Sequence, residues 1–137
     1  DPGRMRDLPA RAARAGARIA VAEAPAGRFD LVFADAPCSG SGAWRRNPDA
    51  KWALTPERLA ALGRAQDAVL ATGAGHVAPG GRLVYATCSL LEAENGAAAA
   101  RFLASAAGRV WAEEGRLSLG LHDGGDGFFA VRLRRVH

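Results

Sequence analysis

Two cysteines lie in turns built from small and polar residues: Cys38 within Asp35-Ala36-Pro37-Cys38-Ser39-Gly40-Ser41-Gly42, and Cys88 within Thr87-Cys88-Ser89. A thiolate is an intrinsically strong nucleophile, and a cysteine beside an acid and a second thiol can form a covalent bond to a substrate and later release it. Most free cysteines are only small buried hydrophobes. The surroundings here favour the reactive role. Each turn follows an apolar run, and the first joins a rigid proline to glycines, which weaken a strand end unless backbone must approach a ligand closely. In an open α/β sheet, ligands bind at the carboxyl ends of strands. If these two strands are neighbours, Asp35, Cys38 and Cys88 converge on one crevice.

The elements that must position these turns alternate between helical and extended patterns. Residues 4–15 predict a helix, with Met5, Leu8 and Ala12 at three- and four-residue spacing and Gly16 as the stop. Pro9 removes a backbone donor there, so this helix starts late or kinks. Residues 19–22 and 29–34 predict strands whose near-continuous apolar character suits a sheet covered on both faces. A loop rich in Gly, Pro and Arg over residues 37–54 leads to Thr55, which caps a helix beginning at Pro56. Leu59, Leu62, Gln66, Val69 and Leu70 form one stripe on that helix, which ends near Val77. Residues 78–81 predict a turn, 82–87 a strand, and 92–106 a helix with acids in its first turn. Residues 110–111, 117–121 and 128–136 predict strands, the last preceded by the glycine-rich turn 123–127, so that an antiparallel hairpin closes the sheet. The expected fold class is α/β, a sheet with helices on both faces.

A chain of 137 residues is one domain's worth, enough to remove roughly two-thirds of its unfolded surface from water around one core. No repeat or linker divides it. Apolar residues at 49% and charged ones at 23% are ordinary for a globular protein. The 18 Lys plus Arg against 14 Asp plus Glu give +4, with Lys51 the sole lysine. That bias permits nucleic acid without demonstrating it, because a GC-rich genome also enriches Arg and Ala. No run approaches the ~18 apolar residues of a membrane span, and no signal-peptide layout opens the chain, which reads as cytoplasmic. Two cysteines are too few for a disulfide framework. Three histidines and no CxxC pair argue against zinc or any other metal.

The stretches DAPCSGSG at 35–42, RRNPDAKW at 45–52, PGGRLVYATCSLLEAEN at 79–95 and GGDGFFAVRLRR at 124–135 resemble, in order and spacing, the RNA 5-methylcytosine methyltransferase family of bacterial ribosomal RNA cytosine methylases and eukaryotic NOL/NOP/Sun proteins. The likeness covers nearly everything from Phe29 onward. It implies a Rossmann-like sheet that binds S-adenosyl-L-methionine, with residues 1–137 forming a partial catalytic domain that lacks the first strand. The implied substrate is RNA, ribosomal RNA being favoured over transfer RNA. Carbon 5 of cytosine is too weak a nucleophile to take a methyl group unaided, so a thiolate must first add to carbon 6. The resemblance assigns that attack to Cys88, and to Cys38 the role of base or release aid.

Asp35 matches the family's carboxylate between cofactor and base, where its plainer role is to cap the turn after it. Glu23 matches an acid near the adenine ring, and Asp1 falls close to the acid that binds the ribose hydroxyls. Arg45, Arg46 and Lys51, interleaved with Trp44 and Trp52, are the RNA-contact candidates, since cations track phosphates and aromatic faces stack on splayed bases. Trp52 is expected to pack against the domain. The turn at Asp126 is structural. A DNA cytosine methylase is the first rival, but that class attacks through the Pro-Cys cysteine and needs no second one. The other rival is a catalytically inert RNA-binding module.

The family's glycine-rich first motif, which wraps the cofactor, has no counterpart in these residues. The chain taken alone is therefore expected to bind S-adenosylmethionine weakly or not at all. Titration calorimetry checks this, and submillimolar binding would contradict it.

Overall fold

The structure, a computed structural model, describes residues 5–136. Four strands form one mixed sheet: β1 (Phe29–Asp35), β2 (Val77–Thr87), β3 (Trp111–Leu119) and β4 (Phe128–Arg135). Their spatial order is β1-β2-β4-β3. β1 and β2 run parallel, and β4 is antiparallel to both β2 and β3. The turns after Asp35 and Thr87 therefore emerge side by side, as the cysteine placement required.

Parallel neighbours need a crossover long enough to return along the sheet, and a helix supplies it. Here it is α3 (Pro56–Gly75), which begins as its sequence dictates. Thr55 is extended and its hydroxyl accepts from the Arg58 N–H at 3.2 Å, while Pro56 occupies a first-turn position that needs no donor. The buried residues of α3 are Gln66, Leu70, Gly73 and Ala74. Gly73 matters for packing distance, because a Cβ there would stand 3.0 Å from a Leu83 methyl.

The core lies on the face shared by α3 and α4 (Gly96–Ala104). Leu83 and Tyr85 of β2 stand opposite Leu133 and Val131 of β4, and all four are fully buried against Leu70, Ala98 and Phe102. The Phe102 and Trp111 rings meet edge to face at 5.9 Å, a geometry favoured by aromatic quadrupoles. Side chains alternate across a strand, so Leu31 and Phe33 of β1 fall on the opposite face. They are 57% and 60% exposed. On that same face Glu114 pairs with Arg82 at 2.8 Å and Arg132 at 3.0 Å.

Several boundaries differ from those the residue pattern predicted. Residues 19–22 form no strand, and Ile19 and Val21 are 52% and 58% exposed. A strand is held by its neighbours' hydrogen bonds, and β1 is an edge that this segment does not join. The first helix shrinks to α1 (Leu8–Arg14), with Pro9 in its opening turn. The 78–81 segment is absorbed into β2 as an irregularity, the register jumping from Phe29 opposite Val77 to Leu31 opposite Arg82. Gly80 takes φ +76° there, a conformation that costs glycine nothing. The 92–106 helix splits into a 3-10 turn at Glu92–Glu94 and α4. The two short strands at 110–111 and 117–121 are one strand, β3, with a bulge between Glu113 and Gly115. A further α-helical turn, α2 (Asp49–Trp52), forms in the 37–54 loop. Among the described residues no helix is long and apolar enough to cross a membrane.

Leu83→Ala should lower unfolding free energy by about 2–5 kcal/mol. Leu117→Ala, on the open face, should stay within about 0.5 kcal/mol. Urea denaturation of the two variants reads the contrast.

Candidate active site

β1 ends at Asp35, and the ladder is extended one step when the Ala36 N–H donates to the Ala86 carbonyl at 2.9 Å. Beyond that point the chain turns through Pro37 and Cys38. β2 ends at Thr87 and turns through Cys88. The two sulfurs stand 3.4 Å apart, Cys38 half-buried and Cys88 exposed. Burial pushes the Cys38 thiol up from its ordinary 9.0 to about 11, against the lowering effect of a Gly40 backbone hydrogen bond, and the contact with Cys88 adds to the rise. Asp35 is exposed at the strand end. The sheet thus brings Asp35, Cys38 and Cys88 to one edge.

Beneath the sulfurs lies a buried polar cluster that the residue pattern did not single out. Glu94, 1% exposed, accepts from the Ser39 N–H at 2.8 Å and from Gln66 Nε2 at 3.0 Å on one oxygen. Its other oxygen accepts from the Ser39 and Ser89 hydroxyls, each at 2.5 Å. Gln66 also donates to the Pro37 carbonyl at 3.0 Å. Asn95 accepts from Thr87 Oγ1 at 2.6 Å and donates to the Ser89 carbonyl at 2.9 Å. Tyr85 donates its hydroxyl to the Glu94 carbonyl at 2.6 Å, and burial pushes that phenol above its usual range. The only hint in the sequence was an acid and an amide among alanines and leucines, indistinguishable there from a solvated helix start.

The loop after Cys38 is braced a second time. The Gly42 N–H donates to the Cys88 carbonyl at 3.0 Å, and the Gly127 N–H donates to the Gly42 carbonyl at 2.9 Å. A Cβ on Gly42 would lie 2.2 Å from the Gly127 oxygen, so only glycine permits this backbone-to-backbone approach. Asp126, beside that glycine, forms an ion pair with Arg46 and lies 3.9 Å from Arg45. Arg45 and Arg46, expected from the sequence to meet RNA, are exposed but tethered. Lys51 Nζ sits 5.4 Å from the Trp52 ring centre. Trp52 does not pack against the domain as expected: it is 80% exposed, because α2 is a short surface turn with no buried residue. Glu23 is exposed on irregular chain, since the strand meant to end at it does not form. Asp1 lies outside the described residues.

A mixed four-stranded sheet packed with helices matches the architecture of Rossmann-like methyltransferases. The structure of NSun6 from Pyrococcus horikoshii, solved with SFG, matches all of this chain and 40% of its own at TM-score 0.81 and 22% identity. In sequence, ribosomal RNA small subunit methyltransferase B of Klebsiella pneumoniae is 42% identical over 112 residues, 77% of this chain and 26% of that protein. The protein of the same name from Vibrio cholerae is 38% identical over 115 residues, 80% of this chain and 26% of that protein. Residues 12–134 match the 16S rRNA methyltransferase RsmB/F family, and the chain belongs to it. It spans about a quarter of the length of those two relatives.

A thiol whose value is raised by the fold is kept neutral by it. The resulting stabilisation is complete below pH 9.0 and lost as pH rises toward 11. In an alkaline titration followed by thiolate absorbance, Cys38→Ser should remove the component with its midpoint near 11. Loss of a component below pH 9.0 instead would contradict the burial argument.

Proposed function

We propose that this chain carries the reactive centre of an enzyme that transfers a methyl group from S-adenosyl-L-methionine to carbon 5 of a cytosine in RNA, ribosomal RNA in particular. The observation that carries the reading is the 3.4 Å approach of two free thiols at adjacent strand ends. The family match and the names of the relatives supply the substrate class. Cys88, the more exposed sulfur, is the attacking group. Its thiolate adds to carbon 6 of a cytosine that has left its stack, leaving carbon 5 electron-rich. S-adenosylmethionine supplies, when bound, the electrophilic methyl that carbon 5 takes.

Release then needs the carbon-5 proton removed, so that its bonding pair restores the double bond and expels Cys88. Cys38 is the group placed for this step. With its thiol held near 11 it is mostly protonated at neutral pH yet a strong base once ionised, so release should quicken as pH rises. Asp35 fits the cofactor by donor chemistry: an exposed carboxylate at the end of β1 can accept from a methionine ammonium or from the cytosine amine. Glu23 and Asp1 are assigned to the adenine and ribose on resemblance alone. Arg45, Arg46 and Lys51 would meet phosphates, with the tether to Asp126 exchanged for them.

In the complete protein, Cys38→Ala should retain RNA covalently on a denaturing gel, while Cys88→Ala should retain none. An adduct that persists without Cys88 would reverse the two roles. Absence of an adduct from every variant would favour RNA binding without catalysis.

A further inference from the structure

We infer that Glu94 is a positioning residue that sets the separation of the two reactive sulfurs. The residue after each cysteine is a serine, and both serine hydroxyls end on the same Glu94 oxygen at 2.5 Å. The second oxygen holds the Ser39 N–H and Gln66 Nε2 at 2.8 and 3.0 Å. Gln66 also grips the carbonyl of Pro37, immediately before Cys38. Cys38 is thus anchored on both sides and Cys88 on its C-terminal side, through a single carboxylate. The polypeptide between the two cysteines includes all of α3 and all of β2, too long a path to fix a contact of 3.4 Å by itself. The β1–β2 ladder sets the two strand ends side by side, the Gly42 N–H to Cys88 carbonyl bond ties the loops once, and Glu94 adds the tie that reaches the residue after each cysteine.

Burying a carboxylate is costly unless its acceptor sites are filled. An apolar residue in the same space would leave two hydroxyls and two N–H groups without an acceptor. Glutamate offers two acceptor atoms and no donor. That combination lets two hydroxyls and two N–H groups from separate segments point inward at once. Glutamine keeps the shape but turns one acceptor into a donor, so both serine hydroxyls would have to reverse from donating to accepting, against the hydrogen bonds they already accept from the Ser41 and Leu91 N–H groups.

The test uses this chain. Diamide accepts two electrons and two protons as the thiols of Cys38 and Cys88 join, and the rate reports how closely the sulfurs are held. Glu94→Gln should slow intramolecular disulfide formation by about tenfold or more, the scale on which small misplacements act, while far-ultraviolet circular dichroism stays unchanged. If Glu94→Gln does not fold, Ser39→Ala, which leaves the carboxylate in place, should slow the reaction in the same direction. Oxidation at the wild-type rate in a folded variant would overturn the assignment. That Glu94 serves methyl transfer rests on the proposed function, and the outcomes separate the two. Slowed oxidation with no methylation by the wild-type complete protein would refute the reaction and keep the positioning role. Methylation by that protein with undiminished oxidation in Glu94→Gln would do the reverse.

Discussion

The arrangement of the reactive edge depends on one buried carboxylate. Glu94 sits at 1% exposure with four donors on its two oxygens, and those donors belong to three different segments of chain. A charge in such a place is tolerated only when its acceptor capacity is used. The constraint runs both ways: the loops complete the solvation of the carboxylate, and the carboxylate fixes the loops. Thr87, Ser89 and Asn95 extend the same cluster from the end of β2 to the start of α4.

The apolar core is the frame that makes this possible. Leu83, Tyr85, Val131 and Leu133 bury one face of β2 and β4 beneath α3 and α4. That packing brings Gln66 of α3 and the short turn carrying Glu94 over the carboxyl end of the sheet. Tyr85 joins the two layers, its ring in the core and its hydroxyl on the Glu94 carbonyl. Methyl-transfer chemistry of the kind proposed needs a nucleophile reachable from solvent beside a group shielded from it. The graded burial of Cys88 and Cys38 provides that asymmetry.

Much of the frame was legible because it rests on local rules. The Thr55-Pro56 start of α3 is a capping preference, and the apolar runs of β1 and β2 are a burial pattern. Cys38 and Cys88 stood out because each is flanked by an apolar run on one side and small polar residues on the other. The failures have physical causes. Residues 19–22 look like a strand but have no neighbour to bond with, and Trp52 looks like core but lies on a turn too short to bury anything. The glycine-rich segments at 40–42 and 124–127 gave no sign that Gly42 and Gly127 touch, since their contact depends on two distant loops meeting.

The amino-acid order alone determined which atoms could react, where α3 begins, and which strand ends carry sulfur, since these depend on side-chain identity and near-neighbour geometry. Tertiary structure decided how far apart the sulfurs sit, which thiol is shielded, and that Glu94 joins the two loops. Those quantities arise only when parallel strands joined through a twenty-residue helix are laid side by side, because burial and distance belong to the packed chain and not to any single segment of it.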